Sequence, residues 1–228
     1  MSSVEWFQGY PAKRRRVRVG DVDLEILGPA NYESLVDDPR VVARFEEDEY
    51  LPYWAEFWPA SLLLTNEVAK WPAADTFTEP PMVLEIGCGL GVVGLAALQL
   101  GYHVIMSDYD DDALAFVLES ARHNGLPFPE TRFVDWREIY PALCVDRLVA
   151  ADILYETRSL RPIAEFIRQH LSPTGFALIC DANRSTADDF DTVARHCGLA
   201  VEVNPVEGED SESQRMVCGR MFRLTHRE

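Results

Sequence analysis

From Met82 to the end of the chain, short apolar runs alternate with longer amphipathic stretches, and this alternation restricts the fold more than any other feature. The runs are predicted strands: Val83–Ile86, His103–Met106, Thr131–Val134, Arg147–Ala151 and Phe176–Cys180. The stretches between and after them are predicted helices: Val92–Leu100, Asp110–His123, Ser159–Leu171 and Ser185–Cys197. Strands that alternate with helices form βαβ units. The pattern therefore predicts a doubly wound α/β fold with a mostly parallel, seven-stranded, Rossmann-like sheet.

The last two strands of that sheet, Ala200–Val203 and Met216–Leu224, follow one another without an intervening helix. An acidic segment, Glu207 to Gln214, lies between them. Parallel neighbours need a long crossover connection, whereas a short loop joins antiparallel ones. The pair is therefore predicted to form an antiparallel hairpin at the edge of the sheet, with the acidic segment as its loop.

The first 80 residues are less regular, and we predict an N-terminal extension (residues 1–80) packed on the core domain (residues 81–228) as a single structural unit. Within the extension, the periodicity predicts a hairpin around Gly20-Asp21, a helix pair broken at Pro39, an aromatic segment and a further helix. These elements cover, in that order, Arg16–Ile26, Asn31–Glu49, Leu51–Ser61 and Leu62–Lys70.

The formal net charge is −17 at pH 7, from 21 Lys and Arg residues against 38 Asp and Glu residues. A negative field of this size repels nucleic-acid phosphates and anionic lipids, so neither nucleic acid nor a membrane is an expected partner. The short basic run Lys13–Arg16 is predicted to be a solvated strand edge. The five cysteines form no CxxC pair and no zinc-ligand spacing with histidine, and no signal-peptide pattern is present. We therefore expect no metal site, and a cytoplasmic location.

A glycine-rich turn, Gly87-Cys88-Gly89-Leu90-Gly91, directly follows the first strand of the core domain. Glycines there permit a sharp turn and close approach of a ligand to the backbone. A dinucleotide fingerprint would place its third glycine at the position of Val92. Glu85, just ahead of the turn, suits a cation better than a pyrophosphate. S-Adenosylmethionine carries an ammonium and a sulfonium but no phosphate, so the turn predicts this cofactor, with S-adenosylhomocysteine as product.

Acidic residues follow the next two predicted strands as well. Asp108 stands where a carboxylate accepts hydrogen bonds from both ribose hydroxyls, and we assign the alternative role of helix capping to Asp110. Asp135-Trp136 follows the third strand, where the acid meets an adenine amino group and the indole covers the ring. A core position is the alternative for Trp136. The glycine turn, Asp108 and the pair Asp135-Trp136 follow three successive predicted strands. Together they predict an S-adenosylmethionine site more specifically than the glycine turn does alone.

Four segments between Leu51 and Asn183 resemble a known family. They are the aromatic segment Pro52–Ala60, which ends Trp-Pro-Ala, the glycine motif Glu85–Gly91, the pair Asp135-Trp136, and Ala151–Glu156 with its Asp-x-x-Tyr motif. The chain resembles the seven-strand class I S-adenosylmethionine-dependent methyltransferases, specifically the non-histone protein lysine methyltransferases that include the enzyme acting on the electron-transfer-flavoprotein β subunit. Asp181-Ala182-Asn183-Arg184 departs from the Asp-Pro-Gly-Arg turn of the flavoprotein-modifying members.

The resemblance implies roles for the matching positions. The expected cofactor-binding residues are Trp58, Glu85, Gly87, Cys88, Gly89, Gly91, Asp108, Tyr109, Asp135, Trp136 and Ala151. Asp152 and Tyr155 are expected to face the methyl-accepting amine, with Asp152 orienting it and general-base action as the alternative. Tyr53, Trp54 and Phe57 form either an aromatic wall for the substrate or part of the core.

The sequence leaves three interpretations of the function open, two of which differ in the methyl acceptor. A protein substrate with an accessible lysine side chain is the first, and a small amine or heterocycle is the second. The third is a non-catalytic cofactor-binding module, against which the intact Glu85–Gly91 and Asp152–Tyr155 motifs argue. The sequence leaves the oligomeric state and the number of methyl groups open.

Overall fold

A computed structural model describes residues 5–48, 50–210 and 213–227 of the chain. Within these residues the chain begins with a small antiparallel sheet of three strands, β1 (Glu5–Phe7), β2 (Tyr10–Val19) and β3 (Val22–Pro29). Strands β2 and β3 confirm the predicted hairpin, because Val19 pairs with Val22 across Gly20-Asp21. Strand β1 was not predicted, since three residues are too few to show a period.

Two short helices and the aromatic segment follow this small sheet. Helices α1 (Glu33–Val36) and α2 (Pro39–Asp48) confirm the break at Pro39, and Glu49 lies outside the described residues. Tyr53–Ala55 then forms a single 3₁₀ turn. Helix α3 (Pro59–Val68) begins earlier than predicted, because Pro59 occupies the first helical turn, where a missing N–H is tolerated.

The main sheet contains seven strands in the described part of the chain, in the order β6-β5-β4-β7-β8-β10-β9. Neighbours from β6 to β8 are parallel, and β10 runs antiparallel to both β8 and β9. The predicted doubly wound sheet with an antiparallel edge hairpin is confirmed. The strands are β4 (Met82–Ile86), β5 (His103–Asp108), β6 (Glu130–Phe133), β7 (Val145–Ala151), β8 (Leu171–Asp181), β9 (Leu199–Asp210) and β10 (Arg215–His226).

Helices cover both faces of this sheet. The helices are α4 (Val92–Gln99), α5 (Asp111–His123), α6 (Leu160–His170) and α7 (Phe190–His196). Helices α3, α4 and α5 share one apolar cluster with the small N-terminal sheet, whereas α6 and α7 build a second cluster on the opposite face. The Leu27 amide on β3 donates to the Ser120 hydroxyl on α5 at 3.0 Å in a buried position. In the described chain, no helix is long and apolar enough to span a membrane.

The edge hairpin differs from its prediction. The predicted acidic loop is wrong over Glu207–Asp210, which continues β9 and pairs with the start of β10; Ser211 and Glu212 lie outside the described residues. Packing explains the difference, because the extended hairpin lies against α3: a Cβ on Gly208 would stand 2.7 Å from the Asn66 amide nitrogen. The single predicted helix Ser185–Cys197 is a 3₁₀ turn, Ser185–Ala187, followed by α7.

Salt bridges neutralise the basic run on β2. Arg14 pairs with Glu5 at 2.7 Å, Arg15 with Asp210 at 2.6 Å, and Arg16 with Asp23 at 2.6 Å. The Arg15 side chain reaches from the small sheet to the far tip of the edge hairpin, so this contact joins the two ends of the chain.

Candidate active site

A cavity of about 470 Å³ opens at the carboxyl ends of β4, β5 and β7. The order of the strands reverses between β4 and β7, and ligands of doubly wound sheets bind at this point. All the predicted site residues except Gly91 line the cavity: Tyr53, Trp54, Phe57, Trp58, Glu85, Gly87, Cys88, Gly89, Asp108, Tyr109, Asp135, Trp136, Ala151, Asp152 and Tyr155.

The glycine turn forms one wall of the cavity. Gly87 and Gly89 both have left-handed backbones, with φ of 58° and 51°. A Cβ on Gly87 would stand 2.9 Å from the Ile153 side chain, and one on Gly89 would stand 3.2 Å from the Trp54 carbonyl oxygen. Between them, burial raises the pKa of the Cys88 thiol well above its ordinary value, so this wall is neutral.

Gly91 lies behind the cavity and not in its wall. Its φ is 73°, and it starts α4 as the residue before the first helical position. A Cβ there would stand 2.6 Å from both the Met106 methyl group and a Val117 methyl group. Gly91 therefore lets α4 approach β5 and α5, and its predicted contact with a cofactor stays a prediction.

Glu85 lies at the buried end of the cavity, beneath the glycine turn. Its side chain is 2% exposed, and one carboxylate oxygen accepts a hydrogen bond of 2.8 Å from the Gly94 amide at the start of α4. Burial raises the pKa of Glu85 to about 8, because no positive side chain compensates for the lost hydration. A cation placed beside Glu85 would restore its charge.

Asp108 ends β5 and holds the glycine turn in place. Its carboxylate accepts hydrogen bonds from the Gly89 amide at 2.8 Å and from the Asp110 amide at 3.1 Å. Burial raises the pKa of Asp108 to about 7. The predicted capping role of Asp110 is confirmed, since its side chain accepts a 3.0 Å bond from the Asp112 amide at the start of α5.

The loop after β6 provides the opposite wall. Trp136 lies near Gly87, with a ring carbon 3.4 Å from the position of a Gly87 Cβ. The Asp135 carboxylate pairs with the Arg137 guanidinium at 2.7 Å. Tyr109, which also lines the cavity, packs at a tilt against Phe133, with ring centroids 5.1 Å apart. A ligand amino group would have to share Asp135 with Arg137.

Asp152 lies at the floor of the cavity, directly after β7. Its backbone is left-handed with φ of 56°, and the residue is 4% exposed. One carboxylate oxygen accepts the Ala60 amide at 2.9 Å, and the other accepts the Ala182 amide at 3.3 Å and the Arg184 guanidinium at 3.2 Å. Asp152 thus ties together β7, the start of α3 and the turn after β8.

Three neighbouring aromatic rings, Tyr53, Trp58 and Tyr155, line the same cavity as Asp152. The Tyr53 ring lies edge-on to Tyr155 at 5.0 Å and to Trp58 at 5.9 Å between centroids. Of the predicted substrate wall, Trp54 also belongs to the core: it is 7% exposed and packs on Phe116 at 5.4 Å. Phe57 is partly buried beneath the Arg15 guanidinium, which lies 3.9 Å from its ring centroid.

Sequence reasoning missed several residues of the cavity. The main one is Arg184, which pairs with Asp152 and lies 4.9 Å from the Trp58 ring centroid. In the sequence, the turn that carries Arg184 shows only a departure from the Asp-Pro-Gly-Arg pattern, which does not indicate a place in the cavity. In the structure Asn183 takes φ of 61°, which asparagine tolerates better than most residues, so it fits the position of the expected glycine. The other missed charged residues are Glu56, Asp110, Arg137, Glu156 and Arg158.

Comparison with known proteins gives a family match over this same region. Residues 43–192 match the family described as lysine methyltransferase. The chain is 34% identical over 120 residues to the ribosomal protein L11 methyltransferase of Sorangium cellulosum, which is 51% of this chain and 35% of that protein. It is 24% identical over 151 residues to a histidine protein methyltransferase 1 homolog of Dictyostelium discoideum, 64% of this chain and 46% of that protein. The chain thus spans between a third and a half of the length of these curated relatives.

Solved structures support the same fold. A TehB-like SAM-dependent methyltransferase from Corynebacterium glutamicum has a TM-score of 0.54 at 17% identity, covering 82% of this chain and 97% of that chain. The ribosomal protein L11 methylase from Lactobacillus delbrueckii has a TM-score of 0.53 at 15% identity, covering 72% and 79%. The family match extends over more than half of the chain. The chain therefore belongs to the lysine methyltransferase family, and its fold and family imply S-adenosylmethionine as the cofactor.

Proposed function

We propose that the protein is an S-adenosylmethionine-dependent N-methyltransferase whose acceptor is a lysine side chain of a protein substrate. One observation carries this proposal: a single cavity joins the glycine turn and two buried carboxylates, Glu85 and Asp108, to a region lined by three neighbouring aromatic rings and Asp152 that opens to the surface. The first end suits a cationic nucleoside, and the second suits an amine.

The buried end fits the cofactor that the family implies. Bound S-adenosylmethionine supplies a methyl group already activated on a sulfonium. The bare backbone of Gly87 and Gly89 leaves room for close approach, and Asp108 offers carboxylate oxygens at the expected ribose position. Glu85 is buried and lies just ahead of the turn in the sequence, and we assign it to the ammonium of the amino-acid end, which would compensate its charge.

The open end fits an amine that must lose its charge before it reacts. A free lysine has a pKa of about 10.4, and burial beside a cationic sulfonium lowers this value. Burial raises the pKa of the Tyr155 hydroxyl, which stays protonated and serves as a hydrogen-bond partner of the amine. The oxygens of Asp152 are engaged by Ala60, Ala182 and Arg184, so we assign Asp152 to orientation of the acceptor region. Alignment of the reacting atoms contributes about 7–11 kcal/mol.

The rim of the cavity, which we define by Glu56 and Arg158, is exposed, and this favours a protein side chain over a small metabolite as the methyl acceptor. Glu56 and Arg158 line the cavity and are exposed to solvent, so the acceptor end opens to the surface. Small-molecule sites generally enclose most of the ligand surface. A lysine side chain needs only a channel that its aliphatic stem can enter from the surface.

The deciding experiment follows a labelled methyl group. We expect that purified protein, incubated with labelled S-adenosylmethionine and a lysate of its own source, transfers label to a protein band, and that acid hydrolysis recovers the label as methyllysine. Label confined to the small-molecule fraction would support a small amine as acceptor. Label recovered as methylhistidine or methylarginine would contradict lysine, and cofactor binding without any transfer would contradict the enzyme.

Asp152→Asn tests the acceptor end within the same assay. The variant keeps an oxygen for the Ala60 amide but loses the charge that holds Arg184, so we expect turnover to fall at least 100-fold while S-adenosylhomocysteine affinity stays within a few-fold. Asp146→Asn is the matched control, because Asp146 lies at the opposite end of β7, where its carboxylate accepts hydrogen bonds from the Met82 amide and the Ser172 hydroxyl. Equal loss of binding and turnover would contradict the assignment.

A further inference from the structure

One carboxylate at the open end of the cavity stands apart from the others. Every other charged side chain that lines the cavity has a partner in the described chain. Asp152 pairs with Arg184, Asp135 with Arg137 and Glu156 with Arg158, and the buried carboxylates accept backbone amides. Glu56 lines the same cavity, yet its carboxylate forms no ion pair or hydrogen bond with any residue that the structure describes.

The backbone fixes Glu56 at the rim. It follows the 3₁₀ turn Tyr53–Ala55, its amide donates to the Tyr53 carbonyl, and its own backbone is extended at φ −106° and ψ 152°. Its side chain is exposed, and the residue lines the cavity together with Tyr53, Phe57 and Trp58. Burial, Tyr53 and Glu56 together raise the pKa of the Tyr32 hydroxyl, which agrees with a negative charge held at this part of the rim.

Arg15, whose guanidinium packs on the residue next in sequence, forms no ion pair with Glu56. The Arg15 guanidinium lies over the neighbouring Phe57 ring but donates to Asp210 at 2.6 Å. A substrate surface that covers the rim would remove water from Glu56, and an uncompensated charge in that position is unfavourable. A cation on the substrate would compensate it, whereas a neutral or acidic surface would not.

We propose, building on the proposed function, that Glu56 is a specificity-determining residue that selects acceptor lysines with a second cationic side chain beside them. The aromatic rings and Asp152 receive the acceptor amine, and Glu56 at the rim binds the neighbouring lysine or arginine. The substrate class is thus a basic protein surface with at least two adjacent positive side chains, in agreement with the strongly negative charge of the whole chain.

The test uses peptides whose N-terminus is acetylated and which contain one central, unmodified lysine. The positions within three residues of this lysine carry either arginine or alanine. We expect wild-type protein to methylate the arginine-containing peptides with about tenfold higher kcat/KM, which corresponds to about 1.4 kcal/mol. Glu56→Gln should reduce this preference to less than twofold and leave S-adenosylhomocysteine affinity unchanged. Glu56→Lys should reverse it. Glu202→Gln, the same change of charge at an exposed position on β9, should keep the wild-type preference.

The outcomes separate the two proposals. Methylated peptides with the same preference in wild-type and Glu56→Gln protein would overturn the role of Glu56 and leave the proposed function intact. If only folded proteins are accepted, the same comparison is made on labelled lysate bands, where equal labelling rates by both proteins overturn the role of Glu56. Absence of label from peptides and proteins alike would overturn the proposed function itself.

Discussion

Two buried carboxylates, Glu85 and Asp108, define the cofactor end of the cavity at the scale of single residues. Neither has a positively charged partner in the described chain, and burial raises the pKa of Glu85 to about 8 and of Asp108 to about 7. Their oxygens accept the amides of Gly94 and Gly89, so both side chains have fixed positions before any ligand arrives. Such preorganisation reduces the ordering cost of binding.

Asp108→Asn tests the ribose assignment. The substitution keeps the shape of the side chain but removes the charge that accepts two hydroxyl donors, so calorimetry should show S-adenosylhomocysteine binding weakened about tenfold or more. In the wild-type protein, affinity should fall as the pH drops below about 7, because protonated Asp108 loses acceptor capacity. Asp112→Asn, at the second residue of α5 and outside the cavity lining, should leave both properties unchanged. An unchanged affinity in Asp108→Asn would contradict the assignment.

At the scale of elements, the junction of β4 with α4 determines the shape of the site. The turn places three left-handed glycines within five residues, but they act differently. The missing Cβ atoms of Gly87 and Gly89 would meet residues that line the cavity, whereas that of Gly91 would meet Met106 and Val117 in the core. The same turn therefore serves both the ligand and the packing of α4 on the sheet.

Gly91→Ala and Gly125→Ala separate steric conflict from backbone strain. Both glycines have positive φ, 73° and 65°, at the start of α4 and just after α5. A Cβ on Gly125 has no heavy atom within 4 Å, so only the backbone cost of about 1 kcal/mol is expected there. Gly91→Ala adds contacts of 2.6 Å, and we expect a total loss of about 2–5 kcal/mol. Urea unfolding of both variants measures the difference, and equal losses would contradict it.

At the scale of the whole molecule, a single continuous core joins the small N-terminal sheet to α3, α4 and α5. The salt bridge from Arg15 to Asp210 adds a surface contact between the extension and the edge hairpin. The extension carries Tyr53, Glu56 and Trp58, so its packing on the core positions the acceptor end against the cofactor end. A cytoplasmic location and a single structural unit remain predictions.

The two carboxylates with raised pKa values also affect global stability. A carboxyl whose pKa is higher in the folded than in the unfolded state binds more protons when folded, so stability decreases as the pH rises from about 5 to about 8. The slope for Glu85 is at most about 1.4 kcal/mol per pH unit. We expect Glu85→Gln to remove the Glu85 part of this slope in urea unfolding at pH 5 to 9 without ligand, so that stability no longer decreases between about pH 7 and pH 8. A slope identical to that of the wild-type protein would show that Glu85 ionises normally.

The sequence by itself determined the layout of the fold and the positions of the strand-end residues. Hydrophobic periodicity is local, and parallel strands bring their carboxyl ends to one edge, so Gly87, Asp108, Trp136 and Asp152 meet around one cavity without further information. Their residue types then indicated the cofactor. Even the unusual Asn183 fits its turn for a local reason, its tolerance of a left-handed backbone.

Only the tertiary structure decided which partners these side chains have. Asp152 accepts the Ala60 amide across 92 residues of chain, and no local pattern predicts such a contact. Packing of α4 moved Gly91 from the cavity to the core, and contact with α3 extended the edge hairpin through an acidic segment. It also placed Glu56 at the rim with no ion-pair or hydrogen-bond partner for its carboxylate among the described residues. Contacts between residues far apart in the sequence depend on long-range packing, and the periodicity along the chain does not predict them.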